Sequence, residues 1–364
     1  MNSRISAFFN ANKRFRFIDE IGSGGAGEVI KAEDLILKKI VAIKLLSSDI
    51  SEKAGVRLQK EATAAGSLSH PNITKVLDFN ITTDGTPYLV MEFIEGENLS
   101  SLLERKNRLA PEEALPLFIQ LAQALVYAHQ RGVTHRDLKP SNIMLTHDEN
   151  DATLLKLLDF GLAKKQNDSQ YFTTTGAIVG SPIYMSPEQA EGKKVEASSD
   201  IYSFGCLMFE TLAGQPPYRG NTVLETLSMH KSREIKIPFL DTVLSDTAAN
   251  HELARLVFWC MQKEKEDRPD ASQLLKQLNS IASGETGHKA EDLEIPQKKQ
   301  PHFKTLILVI LILLPTLLVL FEFINKPANQ VSSQKQTEQK TKKAESESES
   351  KSESFNGQTC NKTK

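Results

Sequence analysis

The stretch His135-Arg136-Asp137-Leu138-Lys139-Pro140-Ser141-Asn142 puts a carboxylate, cations and an amide on one short loop. Farther along, Asp159-Phe160-Gly161 follows the apolar run Leu154 to Leu158. Asp137 can orient a hydroxyl of high pKa and take its proton as a new bond forms. Lys139, two residues on, can reach a transferring phosphoryl group. Asn142 and Asp159 offer an amide oxygen and a carboxylate, hard ligands that suit Mg²⁺, with Mn²⁺ as an alternative. Together these groups could hold a nucleoside triphosphate on metal ions beside a hydroxyl nucleophile.

Upstream, Ile21-Gly22-Ser23-Gly24-Gly25-Ala26-Gly27-Glu28-Val29 spells G-x-G-x-x-G-x-V across a strand–turn–strand. Glycines there let backbone amides approach phosphates with no side chain in the way. Alone, the pattern suits an ordinary flexible hairpin equally well. It is not a Walker loop, because no Gly-Lys-Ser/Thr follows, and the next apolar stretch is a strand rather than the helix of a dinucleotide-binding unit. That stretch, Val41-Ala42-Ile43-Lys44, ends in a lysine. An isolated lysine at a strand end is usually just solvated; beside the glycine turn, an inward lysine can bind the α- and β-phosphates.

With these motifs in this order, residues 15 to about 282 resemble the eukaryotic-type (Hanks-type) serine/threonine protein kinases. The resemblance implies an α+β, bilobal fold, with a small β-rich N-lobe and a larger α-helical C-lobe joined near Glu92 to Gly96. It implies ATP and Mg²⁺ as cofactors, and proteins with Ser/Thr acceptors, this chain included, as substrates. Glu61, in Arg57-Leu58-Gln59-Lys60-Glu61-Ala62, stands where the family puts the carboxylate that fixes its lysine, so a Lys44–Glu61 pair would mark the active conformation. Met91 is the gatekeeper by analogy, backbone groups of Glu92 and Ile94 bond the adenine edge, and Val29, Ala42 and Leu145 sandwich the ring. Each of these apolar residues could equally be ordinary core. Asp137 is the catalytic carboxylate, and a lysine at 139 resembles the serine/threonine-specific members. His135 and Phe160 are expected to pack the two loops against the core.

The same resemblance makes Arg136 a cation waiting for an anion, which a phosphate on the segment Asp159 to Glu188 would supply. Autophosphorylation is expected among Ser169, Thr173, Thr174 and Thr175, above all at Thr173 to Thr175; the alternative is loop hydroxyls without a switching role. Ser181 and Ser186 stand where threonine and alanine are commoner. Glu188 and Arg268 are expected to form a buried pair, and Asp200 to hold the catalytic loop from below.

These groups need a scaffold, and the chain has the material for one. Its 364 residues exceed a usual single domain, 40% are apolar, and the net charge of -2 argues against nucleic acid as the main partner. Cys206, Cys260 and Cys360 match no zinc spacing or disulfide framework, so the catalytic region reads as cytosolic and reduced. Residues 1–14 read as an N-terminal leader without the apolar run of a signal peptide. Over 15–283, strands are expected at Phe15 to Ile18, Ile40 to Leu46 and Tyr88 to Met91. Helices are expected at Lys53 to Ser69, from Pro111 through Ala128, at Asp200 to Ala213 and at Glu252 to Gln262. Pro116 should weaken or bend the second of them.

Residues 284–304 read as a polar juxtamembrane linker. Residues 305–324, TLILVILILLPTLLVLFEFI, match the ~20 apolar residues that span a bilayer. A buried soluble helix would keep one polar face, which this run lacks. Residues 325–364, with their Glu-Ser alternation, cannot offset their ordering entropy and read as a disordered polar tail. The expectation is a single-pass protein of the cell (inner) membrane, its kinase domain cytoplasmic where ATP is, its tail on the opposite side. This arrangement resembles the bacterial receptor-type kinases. A homodimer would suit trans-phosphorylation, although no small-xxx-small motif supports one. A pseudokinase scaffold and a small-molecule phosphotransferase are the alternatives; intact Lys44, Asp137, Asn142 and Asp159 count against the first, and the protein-substrate platform around Pro187 against the second.

Overall fold

The computed structural model describes residues 2–24, 27–46, 52–160, 182–234, 236, 238, 240, 244 and 247–284. The smaller lobe is built on five antiparallel strands: β1 (Phe15–Gly24), β2 (Gly27–Asp34), β3 (Lys39–Leu45), β4 (Val76–Ile81) and β5 (Pro87–Glu92). They lie in the order β1-β2-β3-β5-β4. Strand alternation gives the sheet two different faces. Ala42, Leu89 and Met91 point into the main core, while Ile30, Val41, Ile43, Leu45, Tyr88 and Val90 form a second cluster on the other face.

Residues 1–14, expected as an N-terminal leader, carry helix α1 (Ser3–Ala11), whose buried Ile5 and Phe8 complete the outer cluster. Asn2 caps it, its side chain accepting from Arg4 N at 3.2 Å. Phe8 meets the Tyr88 ring edge-on at 4.9 Å, and Asn12 donates to the Tyr88 hydroxyl at 2.9 Å. An apolar sheet face needs a cover, and the chain's own N-terminal segment provides it.

Helix α2 (Glu52–Gly66) follows β3 and carries Glu61. Beyond the hinge come β6 (Glu97–Asn98), α3 (Leu99–Lys106) and α4 (Pro111–His129), which begins on Pro111 and continues through Pro116. A three-stranded antiparallel sheet of β6, β7 (Ile143–His147) and β8 (Thr153–Leu157) frames the catalytic loop. Asn72 stitches the lobes: its side chain donates to Leu155 O at 2.9 Å and Gln120 Oε1 at 2.8 Å, and its carbonyl accepts from Leu157 N.

The larger lobe adds α5 (Pro187–Ala190), α6 (Ala197–Ala213), α7 (Val223–Lys231), α8 (Ala248–Cys260) and α9 (Ala271–Ser283). Helix α8 starts earlier than the expected Glu252 because Thr247 caps it, accepting from Asn250 N at 3.2 Å. Cys206 and Cys260 are buried free thiols. Among the described residues no helix is long and apolar enough to cross a membrane; the run 305–324, like the linker from 285 and the tail, lies outside them.

Candidate active site

The catalytic loop is held by one carboxylate. Asp200, buried on α6, accepts the backbone N–H groups of His135 and Arg136, each at 2.8 Å, and the His129 Nε2–H at 2.8 Å. Burial works against its charge, but the His129 bond and these neighbours outweigh it and hold its pKa below the usual range. The two amides grip the turn where Arg136 takes a left-handed φ of 65°. Gln189 adds a third tie, its amide donating to Arg136 O at 2.9 Å.

His135 joins the two chemical loops. Leu158 O can only accept, so the 2.6 Å contact makes His135 Nε2 the donor, and His135 Nδ1 then accepts from Asp137 N at 3.3 Å. Burial lowers its pKa, consistent with this neutral tautomer. Its ring meets Phe160 edge-on, with centroids 5.0 Å apart, so both residues pack as expected.

On this frame Lys139 Nζ lies 2.9 Å from Asp137 Oδ2. Asn142 Nδ2 donates to Asp137 O at 2.7 Å and stands 3.4 Å from Asp137 Oδ2. Asp137, Lys139 and Asn142 are therefore one constellation. Asp159 adopts φ 53° after β8 and receives Lys44 Nζ at 2.7 Å on Oδ2. Its other oxygen, Oδ1, is buried without a hydrogen-bond partner among the described residues. A buried orphan carboxylate oxygen suits a hard cation, and Asn142, its nitrogen committed to Asp137, can present its amide oxygen. The described residues hold no cluster of three His, Cys, Asp or Glu side chains. A metal here would therefore complete its shell from phosphate oxygens and water, as Mg²⁺ commonly does.

The expected Lys44–Glu61 pair is not made. Lys44 is committed to Asp159, and Glu61 Oε1 lies 3.5 Å from Arg136 Nη1. In this conformation Arg136 has the carboxylate.

Ala42, Met91 and Leu145 are buried in the main core, with Val29 half-buried against it. Met91 stands opposite Ala42 and forms a cavity with Ala65, Thr74, Val76, Asp159 and Phe160. Glu92 N donates to Lys75 O at 3.0 Å and its side chain meets Lys156 Nζ at 3.0 Å; Ile94 is half-buried in the hinge. Of the glycine turn, Ile21, Gly22, Ser23, Gly24, Gly27 and Glu28 are described, while Gly25 and Ala26 lie outside the described residues. At Gly27, φ is 124° and a Cβ would stand 1.9 Å from Leu45 O, so only glycine fits. Ser169, Thr173, Thr174, Thr175 and Ser181 also lie outside the described residues.

The larger lobe is braced by a bidentate pair, Arg268 Nη1 to Glu188 Oε1 at 2.8 Å and Nη2 to Oε2 at 2.9 Å, joined by the Ser199 hydroxyl at 2.6 Å. Burial pushes the Glu188 carboxyl upward, but Arg268 overcomes it and holds the pKa at about 2. Ser186 caps α5 beside it, accepting from Gln189 N at 3.3 Å. One contributor, Gln189, has no motif to announce it.

Residues 15–278 match the protein kinase domain. The chain is 35% identical over 305 residues to a probable serine/threonine-protein kinase PknB of Corynebacterium glutamicum, covering 80% of this chain and 46% of that one. It is 34% identical over 284 residues to the serine/threonine-protein kinase PknB of Mycobacterium tuberculosis, covering 75% and 43%. It is also 34% identical over 268 residues to the serine/threonine-protein kinase pkn3 of Myxococcus xanthus, covering 72% and 49%. The chain thus spans less than half the length of these relatives. In three dimensions it is similar in fold to the crystal structure of the Mycobacterium tuberculosis PknI kinase domain. The TM-score is 0.58 at 23% identity, over 74% of this chain and 96% of that one.

Proposed function

The chain belongs to the serine/threonine protein kinase family, and from that premise we propose that it transfers the γ-phosphoryl group of ATP to Ser/Thr hydroxyls of proteins, itself included, at a membrane. The observation that carries this is the Asp137–Lys139–Asn142 constellation, tied to the segment of Asp159 by Leu158 N donating to Asn142 O at 2.9 Å. Asp137 orients the acceptor hydroxyl and takes its proton. Lys139, already beside that carboxylate, sets a positive charge where the transferring group becomes most negative. Asn142 fixes the Asp137 backbone and, with Asp159, would hold Mg²⁺. When bound, Mg²⁺ supplies charge neutralisation for the phosphate oxygens. Lys44 is positioned to exchange Asp159 for the α- and β-phosphates.

The Arg136–Glu61 contact fits a resting arrangement. A phosphate on the segment between Asp159 and Glu188 is a stronger anion for Arg136 than Glu61 is. It would release Glu61 toward Lys44, so that Thr173 to Thr175 act as the switch. The apolar run 305–324 supports single-pass anchoring in the cell membrane, with the catalytic domain on the ATP-containing side and the tail opposite. Anchoring confines two copies to a surface and favours trans-phosphorylation, including by a homodimer. The test is transfer of the labelled γ-phosphoryl group from ATP with Mg²⁺ onto a generic protein substrate. The expected label enters serine and threonine; label confined to small molecules would overturn the assignment.

A further inference from the structure

The N-terminal helix does more than cover the sheet. Arg4 Nη1 lies 2.5 Å from Glu28 Oε2, and Arg4 Nη2 donates to the backbone carbonyl of Leu46. Asn2 Nδ2 reaches the other Glu28 oxygen at 3.3 Å. Both carboxylate oxygens of Glu28 are thus taken by α1 and its capping residue, and one guanidinium ties strand β2 to the end of strand β3.

The location gives this clamp its meaning. Glu28 immediately follows Gly27, the last glycine of the turn, and pairs in register with Ser23 on β1 and Leu45 on β3. Leu46 lies two residues beyond Lys44. Arg4 therefore fixes the strand that returns from the glycine turn against the strand that presents the phosphate-binding lysine. Gly27 already packs on the Leu45 carbonyl, so a small slip between β2 and β3 would move the turn relative to Lys44. A solvent-exposed ion pair would carry little weight. Here the side chains of Arg4 and Glu28 are only 26% and 14% exposed, and α1 is anchored independently by buried Ile5 and Phe8.

We propose that Arg4 is a positioning residue for nucleotide phosphates, acting through Glu28 and Leu46 to set the distance between the glycine turn and Lys44. The inference rests on the nucleotide-site assignment above. It makes the N-terminal helix a working part of the ATP site, and anything that displaces the helix a means of weakening ATP binding.

The test uses the full chain and compares ATP with adenosine, which lacks the groups the clamp positions. Arg4→Ala should raise the Kd and KM for ATP with Mg²⁺ about three- to tenfold, less than a whole charge-assisted hydrogen bond is worth because the turn is loosened rather than removed. Adenosine affinity and kcat at saturating ATP should stay within about twofold, and Tm within about 2 °C, since Ile5 and Phe8 still hold α1. Arg4→Lys keeps the charge but loses the planar fork that spans two acceptors, and should recover part of the loss. Glu28→Gln should weaken ATP selectively as well, and the double variant should be no worse than the poorer single one. Equal weakening of ATP and adenosine, or no change in either, would overturn the proposal. Wild-type protein that fails to bind ATP would instead defeat the nucleotide-site assignment itself, a result visible before any variant is made.

Discussion

Lys44 and Asp159 hold each other at 2.7 Å across the cleft, one from the floor of the small lobe and one from the start of the segment after β8. On the proposed reading the contact makes the cation for phosphate and the carboxylate for metal mutual placeholders, which nucleotide would separate. Lys44 is buried, so its ammonium depends on that partner. Substituting Lys44→Met keeps the volume and removes the charge. Steady-state kinetics should show kcat/KM for ATP falling by about 10²–10³, the usual scale for losing one preorganised phosphate contact. An unchanged KM and kcat would place the phosphates elsewhere.

Glu61 has two cations to choose between, and the choice should follow phosphorylation. Glu61→Gln should reduce kcat/KM of phosphorylated protein about tenfold, because Lys44 then loses the carboxylate that orients it. In unphosphorylated protein, where Glu61 rests on Arg136, the same change should have under about twofold effect. The pair of measurements needs protein prepared with and without phosphatase treatment; equal losses in both forms would remove Glu61 from the switch.

The Glu188–Arg268 brace predicts a stability effect separable from catalysis. Arg268→Met strands a buried carboxylate and should destabilise the domain by about 3–5 kcal/mol in urea unfolding at neutral pH. The pH dependence has a definite sign. The Glu188 pKa of about 2 lies below its ordinary 4.5, so the folded state binds this proton more weakly than the unfolded state. The stabilisation is complete above about pH 5 and is lost as the pH falls toward 2. Between about pH 5 and 3 the wild type should therefore lose more stability than Arg268→Met, whose Glu188 has no cation to give up. Parallel curves would show that the pair is not coupled to protonation.

Asp200→Asn tests the support beneath the loop. An asparagine offers one accepting oxygen where the carboxylate serves three donors, so at least one amide of His135 or Arg136 is left unpaired in a buried site. Losses of about 1–3 kcal/mol in stability and at least tenfold in kcat are expected, with ATP affinity close to wild type. Calorimetry and initial rates on the same preparation would show whether the loop moves without the nucleotide site.

Anchoring is tested by fractionation. The full chain should sediment with membranes and resist extraction by salt and carbonate, while a chain ending at residue 284 should not. Full-length protein released by salt alone would contradict a spanning segment over 305–324.

Much of the site was legible in the sequence because its chemistry demands particular groups at short spacing. Asp137, Lys139 and Asn142 sit within six positions, so one loop must bring them together, and Asp159 follows an apolar strand that can be recognised as such. The strand cores around Val41 and Val90 and the apolar stripe of α4 were readable from periodicity. Two features were not. Helix α1 buries only Ile5 and Phe8, too short a pattern to separate a packed helix from a loose leader; its role emerges only when the outer sheet face needs a cover. The partner of Glu61 could not be read because Lys44 and Arg136 both offer a cation. Sequence names the groups able to pair, and the conformation of α2 decides between them.

In the proposed reaction Asp137 takes the proton of a protein hydroxyl while the ATP γ-phosphoryl group is transferred to it. The most direct measurement follows labelled phosphate from ATP, with Mg²⁺, into protein serine and threonine for the wild type and Asp137→Asn. Wild-type protein should label itself and a generic substrate, and the variant should bind ATP with unchanged affinity while transfer falls by about 10²–10⁴. Undiminished transfer by Asp137→Asn, or none by the wild type, would contradict the account.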